Sequence, residues 1–328
     1  MTEKSVLGAI ALWLLSLAIP ATVLAQARSK FPVSASSRVL GYAPLWAADK
    51  KGFFQREGLD VEVIVTNGTA PSMQALVAES IHATLAANDG VIGLVEKGLD
   101  LAIIAAGSKT THMIIGGKNV KSYEDLRGAT LGSSTLTSGT AFLFRRVLKE
   151  KGLEYPKDYS LVNVGGSGPA LIALSTGKVA AGILSVPLSF RAQELGLNVI
   201  GKVSDVFPNY LLSSFSVRRK WAAANRQEVV RFIKALLQSR KWLEENRDAG
   251  AQFLAHELKM KPEMARRGLD YYIENRSWDA NLEVDLEGLN AVIEIYAEQT
   301  DWKGPLPAPD KFVDFSYLQT ARRELGWR

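Results

Sequence analysis

Two stretches of this chain follow one plan, and that repetition limits the fold more than any other feature. In the first, Val39-Leu40-Gly41 closes a β-rich run, a helical pattern passes through Trp46, Ala47, Ala48 and Lys50 to Lys51-Gly52, and Glu57-Gly58-Leu59 leads into a strand from Val61 to Val65. In the second, Thr130-Leu131-Gly132 closes a strand, a helix runs from about Ser138 to Lys151-Gly152-Leu153, and a strand from Leu161 to Val164 follows. Asn67-Gly68-Thr69-Ala70-Pro71 then turns into a helix carrying Ala75-Leu76, and Gly165-Gly166-Ser167-Gly168-Pro169 into one carrying Ala173-Leu174, with proline at the same interval before each pair. Short apolar strands, Ala83 to Ala87 and Ala181 to Val186, complete the two units. Short β-rich runs alternating with helical periodicity predict α/β layering on a mainly parallel sheet. Its repetition predicts two similar lobes, each presenting the carboxyl ends of its strands.

Length agrees, because 328 residues exceed what one hydrophobic core normally organises. With 47% hydrophobic and 22% charged residues the chain has the composition of a folded globular protein. Its 39 basic against 34 acidic residues leave a net charge of +5 spread thinly along the sequence, so no nucleic-acid partner is expected. The chain has no cysteine, which excludes disulfides, thiolate nucleophiles, Cys-ligated zinc and iron-sulfur clusters. The three histidines, His82, His112 and His256, are far apart and form no HExxH pair, and no Asp-rich calcium loop is present, so neither a metal nor a cofactor is expected.

Residues 1–27 have the layout of a secretory signal: Lys4, an apolar run from Val6 to Ile19, a break at Pro20, and small-residue cleavage positions after Ala25 or Ala27. An uncleaved anchor is the alternative, since Val6 to Ala25 approaches spanning length. The breaks at Ser16, Pro20 and Thr22 favour cleavage and export. After Lys220 the pattern becomes helical. Val229, Phe232, Ile233, Leu236 and Leu237 recur at helix spacing, as do Leu286, Leu289, Val292, Ile293 and Tyr296, with Pro262 suited to the first turn of a helix between them.

Catalytic signatures fail. The serine of Gly165-Gly166-Ser167-Gly168-Pro169 is followed by proline where a nucleophile elbow needs glycine, and Gly196 to Lys202 has Val203 where a phosphate loop needs Ser or Thr. Strand-to-helix turns rich in small polar residues remain, and in open α/β sheets ligands sit at such turns, where helix-start amides point outward. The richest is Ser133-Ser134-Thr135-Leu136-Thr137-Ser138-Gly139-Thr140. Ordinary N-capping needs only one of its hydroxyls, so Ser134, Thr135, Thr137, Ser138 and Thr140 are candidate ligand contacts. From the first unit come Tyr42, Trp46, Asn67, Gly68, Asn88, Asp89 and Thr110, and from the second Gly166 and Pro187. Tyr42 and Trp46 suit stacking on a planar ligand or burial in the core. Lys109 suits an anion or a solvated surface, and His112 a ligand contact or a satisfied structural role.

Gly41-Tyr42-Ala43-Pro44-Leu45, Ala47, Lys51-Gly52-Phe53-Phe54 and Glu57-Gly58-Leu59-Asp60-Val61-Glu62, with the later Ser122-Tyr123-Glu124-Asp125-Leu126-Arg127-Gly128 and Leu131-Gly132, resemble the periplasmic solute-binding proteins of ABC transporters in the nitrate, sulfonate, taurine and thiamine-precursor group. The resemblance departs in two places. Ser80-Ile81-His82 stands where the group has Gly-x-Ile/Val-Asp, and Gly177-Lys178-Val179-Ala180 also lacks the aspartate. The group's thiamine-pyrimidine synthases rely on a cysteine-rich segment that is absent here. The resemblance implies a type II periplasmic-binding-protein fold, each lobe a mainly parallel sheet flanked by helices. Lobe one would comprise residues 33–120 plus 217–328 and lobe two residues 121–216, with hinge crossings near Lys118 to Lys121 and Leu211 to Ser216. It implies a monomeric periplasmic protein that closes on a small anionic or planar organic solute and delivers it to an ABC permease and its ATPase. An exported enzyme of the same fold, such as a decarboxylase, and a ligand-sensing input module for a membrane receptor are the alternatives.

Overall fold

The computed structural model describes residues 28–134, 136, 138–300 and 302–327; the segment expected to be a secretory signal lies outside them, as do Thr135 and Thr137. Ten strands form two five-stranded sheets. They are β1 (Ser29–Ala35), β2 (Leu59–Val65), β3 (Ala83–Ala87), β4 (Leu101–Lys109), β5 (Met113–Gly116), β6 (Thr130–Ser133), β7 (Ser160–Asn163), β8 (Ala181–Leu184), β9 (Asn198–Lys202) and β10 (Leu211–Arg218). The orders are β2-β1-β3-β10-β4 and β7-β6-β8-β5-β9. The second order is the first rewritten, β6 to β9 standing for β1 to β4 and β5 for β10. The echo in the sequence is therefore an echo in topology.

Each sheet is mixed in the same way. β1 pairs in parallel with β2 and β3, and β6 with β7 and β8. β10 runs antiparallel between β3 and β4, and β5 antiparallel between β8 and β9. Both antiparallel strands are the first laid down after the chain passes from one sheet to the other. The passages fall at residues 110–112 and 203–210, because Met113–Gly116 pairs in the second sheet and Leu211–Arg218 in the first. They thus lie several residues N-terminal to the crossings expected at 118–121 and 211–216. At the first, Met113–Gly116 follows β4 closely in the sequence, and its pairing with β8 and β9 assigns it to the second sheet.

A second difference concerns Val39-Leu40-Gly41, which forms no strand end. β1 stops at Ala35, and Leu40–Tyr42 is a single 3-10 turn running into the helix Ala43–Lys50. The two Ala-Leu helices are Thr69–Val77 and Ser167–Ser175, each starting two residues before its proline.

Burial follows pattern. Edge strand β2, Leu-Asp-Val-Glu-Val-Ile-Val, begins with strict alternation of buried and exposed residues, whereas β4 is buried nearly throughout. The outer edge of β4 is covered: Asp314 N–H donates to the Ile103 carbonyl at 2.9 Å. In the helix Arg226–Glu245 the stripe read from the sequence is wholly buried, and Phe232 stacks on Phe31 (4.8 Å) and Phe54 (5.2 Å). The stripe of Leu286–Gln299 is buried at Leu289, Val292 and Ile293 but exposed at its first residue, Leu286. No helix of the described residues is long and apolar enough to cross a membrane.

Candidate functional site

Parallel strands aim their carboxyl ends, and the amides of the helices that follow, in one direction. Here the turns after β1, β6, β7 and β8 converge on a cleft of about 770 Å³. Ser37 to Tyr42 and Ser108 line it from the first sheet, and Ser134, Thr140, Gly165 to Gly168 and Ser185 to Leu188 from the second. The segment Leu258 to Lys261, with Met264 and Tyr272, supplies a third wall.

Five of the expected residues line this cleft: Tyr42, Ser134, Thr140, Gly166 and Pro187. Tyr42 is 6% exposed, its hydroxyl lies 2.8 Å from Ser36 Oγ, and burial pushes its pKa up to about 12. It is a neutral phenol at any physiological pH.

The other expected residues among those described take different places. Trp46 is 1% exposed and its Nε1–H donates to the Val39 carbonyl at 3.0 Å, so it is a core residue that braces the turn carrying Tyr42. Asn67 and Gly68 form the positive-φ turn that starts Thr69–Val77 and do not line the cleft. Asn88 is buried, its Nδ2–H donating to the Leu211 carbonyl at 2.8 Å. Asp89 is half-buried beside Gly139 of the second sheet's first helix, 2.7 Å from where a Cβ on that glycine would stand. Thr110 is bonded to its neighbour His112. Ser138 caps the helix Gly139–Glu150, accepting from Ala141 N–H at 3.2 Å, and its hydroxyl lies 2.8 Å from that of Ser134. Lys109 turns to Asp285 (3.2 Å) and Asn209 (2.8 Å).

Sequence reasoning missed the third wall. Tyr272 lies in the helix Pro262–Glu274 and is buried, yet its hydroxyl sits 3.1 Å from Thr111 Oγ1 at the cleft. Lys259 to Met264 carries no local signal at all. Its position follows from how the helix Pro262–Glu274 packs against the Leu40–Tyr42 turn.

The lining is amphipathic. Ser37, Tyr42, Ser108, Thr111, Ser134 and Thr140 offer hydroxyls, while Val39, Leu40, Val186, Leu188, Met260 and Met264 are apolar. Among its charged groups, Arg38 is paired with Glu257, and Arg191 with Glu194 at 2.9 Å. Such a wall suits a small organic molecule with one polar end.

Two predictions arise here. Ser138→Ala should cost about 1 kcal/mol through the lost cap, whereas Thr140→Ala should leave the melting temperature near that of the unaltered protein; thermal denaturation of the two variants separates them. The second concerns pH. Burial lowers the His112 pKa from 6.5 to about 4. An unfolded histidine protonates through 6.5, so the stability held by neutral His112 is complete above that pH and lost as the pH falls towards 4. Its size is on the order of 2 kcal/mol. Burial, then Arg218, lowers His82 in the same direction. Asp89 acts oppositely: burial raises its carboxyl above 3.8, so the folded state takes up that proton first and gains stability in acid. The melting temperature should therefore fall between about pH 6.5 and 4.5, and His112→Gln should flatten the fall.

Among curated proteins, the putative binding protein YtlA of Bacillus subtilis is 22% identical over 237 residues, 70% of this chain and 71% of its own length. Among solved structures, the putative periplasmic sulfonate-binding protein SsuA of Methylobacillus flagellatus superposes with a TM-score of 0.74 at 15% identity, over 92% of this chain and 96% of its own. The periplasmic nitrate-binding protein NrtA of Synechocystis gives 0.72 at 17% identity, over 91% and 89%. These likenesses show the periplasmic-binding-protein fold. Residues 40–249, from the Leu40–Tyr42 turn through both chain crossings, match the NMT1/THI5-like family, and with more than half its length so matched the chain belongs to that family.

Proposed function

We propose that this protein is an extracytoplasmic solute-binding protein that captures a small organic molecule between its two sheets and delivers it to an ABC permease and its ATPase. The observation that carries the reading is the cleft itself: two matched sheets direct their strand ends at one space, and hydroxyls, helix-start amides and apolar side chains line it together. The sulfonate- and nitrate-binding relatives of the same fold support it, as does the signal-like start of the sequence. The solute would present an anionic or polar end to the hydroxyls and an apolar or planar body to Leu40, Met260 and Met264. Binding energy would come from hydrogen bonds of roughly 0.5–1.5 kcal/mol each plus apolar burial, enough for micromolar affinity in a preformed cleft.

An enzymatic reading is less well supported by the same cleft. Proton transfer at neutral pH needs a group that titrates near it, whereas burial holds His112 well below that range and Tyr42 well above. The test is a thermal-shift screen of residues 28–328 against alkanesulfonates, aromatic carboxylates, pyrimidines and nitrate. Stabilisation by one class, without turnover of the bound compound, is the expected result. Consumption of that compound would favour the enzyme, and indifference to every solute would remove the binding reading.

A further inference from the structure

The two chain crossings are bonded to each other. Thr110 N–H donates to the Tyr210 carbonyl at 3.0 Å, and Val203 N–H donates to the His112 carbonyl at 3.0 Å. Thr111, between them, is tied through its hydroxyl to Tyr272. All three residues of the first crossing are thus hydrogen-bonded to another part of the chain, and Thr111 and His112 both line the cleft.

The hydrogen bonds also favour one state of the His112 ring. Thr110 Oγ1 accepts from His112 N–H at 3.3 Å and lies 3.0 Å from His112 Nδ1. The amide engages one of the hydroxyl's two lone pairs, and among the described residues Nδ1 is the acceptor that its own proton meets, so the arrangement favours donation to Nδ1. A neutral ring accepting at Nδ1 carries its proton on Nε2. Burial disfavours the charged form of the imidazole.

We propose that His112 is a hinge-mounted hydrogen-bond donor which, through Nε2–H, selects solutes presenting an acceptor atom, such as a sulfonate, carboxylate or carbonyl oxygen, over solutes whose polar end is an ammonium group. The proposal rests on the binding reading of the cleft and adds a specificity residue to it. A solute held by His112 would touch the crossing that joins the sheets, so recognition and any closure of the sheets would share one residue. Thr110 is a positioning residue, acting through the tautomer it imposes.

The test uses four probes with the same ring, benzenesulfonate, benzoate, benzamide and benzylamine, titrated calorimetrically into the unaltered protein and into His112→Phe, His112→Gln and Thr110→Val. At least one acceptor-bearing probe is expected to bind, with benzylamine at least tenfold weaker. His112→Phe should weaken the acceptor-bearing probe roughly three- to tenfold, and His112→Gln, which keeps a neutral donor, should recover most of that loss. Thr110→Val should narrow the gap to benzylamine by freeing the tautomer. The ring nitrogen shifts in the NMR spectrum of the unliganded protein should show a neutral imidazole protonated at Nε2. A ring protonated at Nδ1, or acceptor-bearing probes that bind His112→Phe unchanged, would overturn this proposal while leaving the cleft a binding site. No binding of any probe or of the wider solute panel would remove both.

Discussion

Gly288→Ala is expected to destabilise the protein by about 3 kcal/mol or more, beyond the usual range for one added methyl group in a core. Gly288 lies in the first turn of the helix Leu286–Gln299, where its N–H donates to the capping carboxylate of Asp285 at 3.1 Å. A Cβ at this position would overlap the Asn209 carbonyl oxygen and come within 2.8 Å of its carbon. Both obstacles are backbone, so no side-chain rotation relieves them. The helix cannot back away freely, because Lys109 ties Asp285 and Asn209 together, and Leu289, Val292 and Ile293 are buried behind it. Asn209 belongs to the second crossing, so the strain would fall on the segment joining the sheets. For a chain of this size such a loss corresponds to roughly 4–6 °C in melting temperature. Gly168→Ala is the control: it adds the same methyl group in a helix with nothing within 4 Å of it, and should leave the melting temperature unchanged or slightly raised. A Gly288→Ala protein that melts with the control would refute this account of the helix start.

The contrast between these glycines also explains what the sequence could disclose. Repetition of a unit is written locally: the Pro-to-Ala-Leu interval at Pro71 and Pro169 marks two helices, and those helices occupy equivalent places in sheets of identical order. The antiparallel strands were not legible as such, because Met113-Ile114-Ile115 reads like any apolar run and only hydrogen bonds to β8 and β9 assign it to the second sheet. The cleft divides likewise. Tyr42, Ser134, Thr140, Gly166 and Pro187 sit at strand-to-helix turns, where topology sends ligands, and they do line it. Trp46, Asn88 and Ser138 lie at or just beyond strand-to-helix turns as well but are used for bracing and capping, which depends on where one side chain points. Tyr272 and Met260 come from a helical layer far along the chain, and only tertiary packing brings them there.

Trp278→Ala should have the other large effect, a loss of about 3–5 kcal/mol from packing alone, with damage to the cleft as its second consequence. Trp278 is 1% exposed, its Nε1–H donates to the Gly41 carbonyl at 2.8 Å, and its ring stacks on Tyr272 at 4.5 Å. It therefore holds from behind two residues that line the cleft, and Tyr272 in turn meets the crossing residue Thr111. Truncation removes the stacking partner and leaves the Gly41 carbonyl buried without its donor. Trp278→Phe separates the two contributions. It keeps an aromatic face for Tyr272 but not the N–H, so it should cost about 1–3 kcal/mol, the desolvation of one unpaired carbonyl. Denaturant titrations of both variants measure these losses. If the Phe variant is as unstable as the Ala variant, the bond to Gly41 dominates; if it matches the unaltered protein, the stacked ring alone supports the wall. In either case stabilisation by the bound solute should weaken in step with the loss, because Gly41 and Tyr272 approach so closely that a Cβ on the glycine would stand 2.9 Å from the tyrosine hydroxyl, and neither can shift without moving the other.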